Sequence, residues 1–306
     1  MIYVVGDVML DRYVHGTINR MSPEAPVPIL VKEKSHSIIG GAGNVALNVN
    51  NLTDNVTLFG IIGDDDNGKI LEELISSKGI NFHCIVSKNS PTITKTRYLS
   101  SSNQVLRVDS EKQFSIDDSK SLFNLIKKNA KNDLPKTILI SDYNKQTIHN
   151  NLDLEEYVDN KKVIVDSKKT DLSLFQNAFI YKSNYLELCH TVQEKVNYSK
   201  LEKTLTQIVK KNKFKNMITT LAGDGCFLVN EKLEGALFKT KKVEVSDVTG
   251  AGDNFIATLA FLIMKEYNIK DAIKIALIYA TESVKHKGNY FSDIMEIKEW
   301  MILITK

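Results

Sequence analysis

The chain has 306 residues, of which 42% are hydrophobic and 25% charged, with a formal net charge of +3, the balance of a globular protein with a full apolar core rather than of a nucleic-acid binder. Its three cysteines, Cys84, Cys189 and Cys226, are scattered and form no C-x-x-C pair, which excludes a disulfide framework and a thiolate metal site. The start MIYVVGDVML lacks a basic leader region, and the longest apolar run, 255–264, is too short for a membrane span, so a cytoplasmic protein with no membrane or nucleic-acid partner is expected.

The first run, 2–5, is apolar and rich in β-branched residues, and it stops at Gly6-Asp7. It reads as a buried strand that ends in a turn. Pro23, Pro26 and Pro28 then precede an alternating stretch at 27–31; a second follows Pro91 over 92–99, and a third follows Ser-Ser-Asn over 104–108. Proline cannot donate to a central ladder, so these strands belong at a periphery. They predict a small separate sheet, a lid formed by approximately 12–35 and 90–110, set upon one domain that spans 1–306. Runs at 56–62, 137–141, 162–166, 178–181 and 216–220 alternate with helical spacing over 69–77, 117–128 and 200–211. Such alternation predicts βαβ units, hence an α/β fold with a mostly parallel sheet covered on both faces. Three helices in succession are expected at 252–265, 270–285 and 294–304.

Three glycine-bearing segments compete as phosphate sites. Gly41-Ala42-Gly43-Asn44-Val45-Ala46 has the dinucleotide spacing G-x-G-x-x-A but does not follow the first strand, which weakens a dehydrogenase reading. Gly63 to Lys69 has the Walker spacing, yet it lacks the hydroxyl that ligates Mg²⁺ and carries three aspartates that would repel phosphate. Asp247-Val248-Thr249-Gly250-Ala251-Gly252-Asp253-Asn254 follows an alternating segment at 241–245 and opens a strongly apolar helix. There the small residues Gly250, Ala251 and Gly252 admit a ligand to helix-terminal amides, an anion site. A carboxylate beside an anion hole, Asp253, suits a base that takes the proton of an attacking hydroxyl; the bland alternative is an acid that caps the helix.

These residues resemble a family. Asp247 to Asp253, DVTGAGD, is similar to the second signature of the PfkB/ribokinase-type carbohydrate kinases, and Gly40 to Ala46 with Gly63 resembles the first, departing at Thr53. Asn184-Tyr185-Leu186-Glu187 matches their N-x-x-E element. Thr220 to Gly225 resembles their nucleotide-binding turn, with Ala222 in place of a glycine. A closer resemblance is to the D-glycero-β-D-manno-heptose-7-phosphate kinases of the ADP-heptose route to lipopolysaccharide core. It rests on Gly6 to Tyr13, Arg20 to Pro28, Pro91 to Arg97 and Ser141 to Lys145. Departures are Gln146, Ser167 and Lys169, and the stretch 276–280. No H-x-G-H motif of the bifunctional relatives occurs in the sequence.

The resemblance implies a ribokinase-like three-layer α/β/α fold with a lid, and an ATP- and Mg²⁺-dependent phosphotransferase acting on a sugar hydroxyl. The substrate it implies is heptose 7-phosphate at O1; the alternative is another sugar, sugar phosphate or nucleoside. It assigns Asp253 as base and Gly250, Ala251 and Gly252 as anion hole. Asp7, Asp11, Gly40, Gly41, Asn44, Asp142 and Lys145 would bind substrate, with Arg20, Lys95, Arg97 and Arg107 on its phosphate. Asn184, Glu187, Lys168, Thr220, Gly223, Gly225 and Thr249 would serve the nucleotide, Asn184 and Glu187 reaching the metal through water; the other role open to that pair is a helix capping box. The exposed strand edges of the lid imply a homodimer formed through it.

Overall fold

Five successive residues, Ile2 to Gly6, are fully buried, as expected for a strand covered on both faces. The computed structural model describes residues 1–306 except 102, 150–161, 287, 289, 292–295, 298, 301 and 303–306. In chain order the elements are β1 (Ile2–Gly6), β2 (Val8–Met21), β3 (Pro28–Gly41), α1 (Ala42–Leu52), β4 (Val56–Gly63), α2 (Asp66–Ser77), β5 (Asn81–Ser87), β6 (Thr94–Ser100), β7 (Asn103–Ser110), α3 (Ile116–Asn132) and β8 (Thr137–Asp142). They continue with β9 (Lys162–Ser167), β10 (Ile180–Asn184), α4 (Tyr185–Val192), α5 (Leu201–Asn212), β11 (Asn216–Thr220), β12 (Cys226–Asn230), β13 (Gly235–Phe238), α6 (Ala251–Met264) and α7 (Ile269–Ser283). The helix expected at 294–304 lies largely outside the described residues.

The large sheet has the order β13-β12-β11-β10-β9-β8-β1-β4-β5. It is parallel from β5 to β11 and antiparallel only at its β12 and β13 edge. The chain leaves β1 one way, through β4 and β5, then returns to β8 and proceeds the other way. The order therefore reverses between β1 and β8, and a crevice opens beyond their carboxyl ends. Gly6 makes this closeness possible: a Cβ there would stand 1.9 Å from the Ser141 carbonyl oxygen. Alternate side chains of β1 feed two cores. Ile2 and Val4 join α1, α2, α6 and α7 on one face; Tyr3 and Val5 join α3, α4 and α5 on the other. Helix α6 is buried at every position from Asn254 to Met264, because it is sandwiched between the sheet and its neighbours α1 and α7.

The small sheet, in the order β3-β2-β6-β7, stands over the crevice. One residue, Asp7, separates β1 from β2. Strands β2 and β3 are longer than the prolines predict, 14 residues each, since their exposed halves carry polar residues that break the apolar pattern. The alternating 241–245 stretch forms no strand; alternation is a strand signal only where the segment also pairs with a neighbour. The Gly63 to Lys69 segment has a structural use. Asp65 caps α2 by accepting from the Gly68 amide and also accepts from the Thr92 amide, each at 2.8 Å, so it ties α2 to the approach to the lid.

Gly6→Ala is expected to lower stability by about 1–3 kcal/mol or more, because a backbone carbonyl rather than a flexible side chain meets the new methyl. A thermal melt of the variant unchanged from wild type would contradict the close β1–β8 approach.

Candidate active site

Helix α6 begins in the crevice. Its N-cap, Gly250, has φ 78°, a left-handed conformation that favours glycine. This turn aims the first-turn amides, which have no helical acceptors, outward. Of the three amides expected in the anion hole, that of Ala251 donates to the Val248 carbonyl at 3.3 Å, which leaves those of Gly250 and Gly252; the Asp253 amide follows Gly252 in the same first turn.

Two cavities meet at this helix end. One, of ≈ 400 Å³, lies under the lid and is lined by Thr249, Gly250 and Asp253 together with lid residues. The other, of ≈ 650 Å³, is lined by Ala251, Gly252 and Phe255 and runs along β11, the 240–248 segment and α7. The first turn of α6 is thus a wall with a different cavity on each side.

Asp253 is clasped by two uncharged donors from distant parts of the chain. Asn44, in the first turn of α1, donates from Nδ2 to Oδ2 at 2.6 Å, and the Tyr143 hydroxyl, just past β8, donates to Oδ1 at 3.1 Å. Burial pushes the carboxyl up to about 6, and the charge of Asp166 adds to this; the two hydrogen bonds and the Lys182 ammonium work the other way. The charge of Asp253, with burial, holds the Tyr143 phenol well above its usual value, so it stays a neutral donor. Tyr143 also lies under the Lys168 ammonium, 3.9 Å from its ring centroid.

In the lid cavity, strand alternation puts Asp11, Tyr13, Lys95 and Arg97 on one face and Arg12, Val14, Thr96 and Tyr98 on the other. Asp11, Gly40, Gly41, Asn44, Lys95, Arg97, Arg107, Lys145, Lys168, Thr249, Gly250 and Asp253 all line this cavity. Arg97 donates to Asp11 at 2.6 Å, and the Asp11 carboxylate rests where a Cβ on Gly40 would be, 2.3 Å away. Lys168 and Thr249, expected on the nucleotide, stand in this cavity instead.

Three expected substrate ligands lie elsewhere. Asp7 is fully buried, and its carboxylate accepts from the amides of Tyr143, Lys145 and Thr147 at 2.7, 3.1 and 3.2 Å. It shapes the loop beneath the cavity and offers nothing to a sugar. Asp142 is 1% exposed and is spent on the Asn144 amide and the Ser167 hydroxyl. Burial and the nearby Asp7 raise its carboxyl to about 6. Arg20 is exposed and pairs opposite Ile29 near the far end of β2, roughly 30 Å beyond Asp11 at the rise of a strand. It does not line the cavity of its own chain.

The second cavity takes Thr220, Gly223 and Gly225, as expected, plus Leu277, Ala280 and Val284 of the α7 segment. These apolar side chains suit a flat base. Ala222 has φ 51°, the left-handed region in which glycine is the unstrained choice. Asn184 and Glu187 line neither cavity; they form a reciprocal capping box at the start of α4. Burial raises the Glu187 carboxyl. The charges of Asp166, Glu187 and Asp253 favour the protonated form of Lys182 against its burial; its ammonium bonds Asp166 at 2.8 Å and lies 3.6 Å from where a Cβ on Gly252 would stand. Among the described residues no group of three or more His, Cys, Asp or Glu could hold a metal directly. The oxygens of Asn184, Glu187 and Asp166 fit a hard cation that keeps most of its water, as Mg²⁺ does.

Neither Tyr143, which lies within the Ser141 to Lys145 stretch, nor Lys182 is assigned a role by the motifs. The signal for Lys182 is a lysine that directly follows the apolar run 178–181, two positions before Asn184; for Tyr143 it is an aromatic residue at the exit of a central strand.

The sequence profile described as pfkB family carbohydrate kinase matches residues 1–295. The bifunctional protein HldE of Marinomonas sp. is 35% identical over 279 residues, which cover 90% of this chain and 58% of that protein; the chain thus spans little more than half of that relative. Phosphofructokinase-2 from Escherichia coli, in complex with potassium, superposes with a TM-score of 0.81 at 17% identity, covering 100% of this chain and 99% of that one. Arabidopsis thaliana ribokinase, complexed with ribose and ATP, gives 0.73 at 18%, covering 98% of each. The fold is therefore ribokinase-like, a mostly parallel sheet with a small second sheet.

Asp253 is expected to titrate near pH 6, and Tyr143→Phe or Asn44→Ala to move it upward by removing a donor to the ionised form. Carboxyl-carbon NMR of aspartate-labelled protein checks this; an ordinary carboxylate value in the wild type would contradict it.

Proposed function

This chain belongs to the pfkB family of carbohydrate kinases, phosphotransferases with an alcohol group as acceptor, and from that premise we propose that it transfers the γ-phosphoryl group of ATP to a sugar phosphate, a heptose 7-phosphate at O1. The observation that carries the reading is the shared wall: a polyol-sized polar cavity and a base-sized apolar cavity meet at one helix N-terminus that bears an elevated carboxyl.

In the proposed reaction the acceptor lies in the lid cavity, with Asp11 and Asn44 on its hydroxyls and its own phosphate among Lys95, Arg97, Arg107 and Lys145. The nucleotide occupies the cavity of Thr220, Gly223 and Gly225. The amides of Gly252 and Asp253 face the transferring group, where peripheral charge develops in a loose transition state. Lys182 places a buried positive charge behind the same amides. Asp253 accepts the proton of the attacking hydroxyl as the oxygen–phosphorus bond forms. Its raised proton affinity matches that role. Lys168 faces the same space from the Tyr143 ring. Asp7 and Asp142 act beneath, by fixing the 143–147 loop. Mg²⁺, held through water by Asn184 and Glu187, would neutralise phosphate charge.

The larger cavity of ≈ 1040 Å³ lies elsewhere, on the other face of the lid, lined by Val14, Ile18, Val27, Leu30, Tyr98 and Leu106 among others. Met21, Val27, Val31 and Leu106 are 51–57% exposed there and nearby. Apolar surface on an open sheet favours association, and a second copy of this chain, pairing lid to lid, is the proposed occupant. Among the described residues no helix is long and apolar enough to cross a membrane, and the proposed location is the cytoplasm.

Asp253→Asn is expected to lower kcat by about 10²–10⁴-fold with nucleotide binding retained. The wild-type kcat/KM should fall about tenfold per pH unit below pH 6, because protonation removes the acceptor. Coupled ADP-release assays over sugars with and without a terminal phosphate check the substrate; preference for neutral sugars would overturn it. Leu106→Glu is expected to yield a monomer in sedimentation analysis, and an unaltered dimer would contradict the lid contact.

A further inference from the structure

Four cations line the lid cavity in addition to Lys168: Lys95, Arg97, Arg107 and Lys145. Three of them are held from behind by two carboxylates that do not line it. Lys95 lies 3.0 Å from Asp109 and 3.5 Å from Glu111, Arg107 lies 2.9 Å from Asp109, and Lys145 lies 2.6 Å from Glu111. Asp109 stands directly opposite Lys95 across the β6–β7 ladder, so register fixes this pair. Glu111 follows the end of β7 and reaches both Lys95 and Lys145, bridging the lid to the loop that carries Tyr143.

Both carboxylates stay ionised at neutral pH. For Glu111 the Lys145 hydrogen bond leads in holding the carboxyl below its usual value; for Asp109 burial pushes upward, but Lys95 and Arg107 outweigh it. With Asp11 on Arg97, these four cations face three carboxylates; Lys168 and Asp253, which also line the cavity, add one charge of each sign, so the excess is one positive charge before any ligand arrives. A phosphate monoester brings roughly −1.5 to −2 at pH 7. It must therefore draw hydrogen bonds away from Asp109 and Glu111 rather than fall into an unopposed basic pocket.

We propose that Asp109 and Glu111 are specificity-determining residues that compete with the substrate's phosphate for Lys95, Arg107 and Lys145. A phosphate that arrives alone gains only this contested site. A sugar phosphate gains Asp11 and Asn44 as well, so the pair rejects free phosphate and stray phosphoryl groups while still admitting the tethered one. The opponent weakens both ligands, and only the tethered phosphate has sugar contacts to offset that loss, so free phosphate is the one excluded. The proposal rests on the sugar-phosphate reading above.

The test compares wild type with Asp109→Asn, Glu111→Gln and the double variant, all close in shape to the native residues. Inorganic phosphate is the probe, titrated calorimetrically and as an inhibitor of ADP release with a phosphorylated sugar. Loss of each carboxylate is expected to tighten phosphate binding at least about threefold, as ion-pair energies of this exposure allow, and to lower the KM for the phosphorylated sugar with the KM for ATP unchanged. Phosphate binding that is unchanged or weaker in a single variant with a wild-type melting temperature overturns the proposal. A KM that rises instead means that these carboxylates hold the sugar, which also overturns it. If wild type turns over no phosphorylated sugar, the substrate reading fails, whereas the calorimetric comparison still decides the role of the pair.

Discussion

The Asp253 carboxylate is gripped by an amide and a phenol, Asn44 and Tyr143, not by a cation. That choice governs the site. An arginine in contact would fix the carboxyl far below neutrality and leave it a poor proton acceptor. Two neutral donors fix its direction and leave its affinity for a proton set mainly by burial. The donors come from α1 and from the exit of β8, so the grip exists only when the β1–β8 crevice, the returning lid strand and α6 are all in place. The positive charge nearby is set apart, on Lys182 under Gly252 and on Lys168 over the Tyr143 ring.

Much of this was legible in the residues. The 247–254 segment announces its turn, its amides and its acid together, because a glycine, small neighbours and an apolar helix leave few other uses. Strand and helix periodicity likewise place β1, β4, β8 to β11 and α6. Other parts were not legible, for physical reasons. Asp7, Asp11 and Asp142 are the same residue type near strand ends, and only burial separates the two that serve backbone amides from the one that faces the cavity. Lys182 and Tyr143 gain their meaning from elements far off in the chain. Arg20 lies on the lid as expected, but strand length carries it away from the cavity.

The lid divides its labour by alternation. Along β2 and β6 one set of side chains faces the polar cavity beside Asp253, and the other faces an apolar cavity. A one-residue slip would exchange the sets. The bulges recorded in β2–β3 and β6–β7 fall beyond this region, past His15 and Tyr98, so the register that matters for the cavity is continuous.

The single residue between β1 and β2 has a mechanical consequence. A cover joined by a flexible tether could swing freely, but this one grows directly out of the central strand. Its root, Asp7, is locked to the 143–147 backbone by three amides. Admission and release of a ligand must therefore come from bending of the four-stranded ribbon itself. Any strain from that bending reaches Tyr143 through the same joint, which makes the orientation of the Asp253 carboxylate sensitive to how far the mouth stands open.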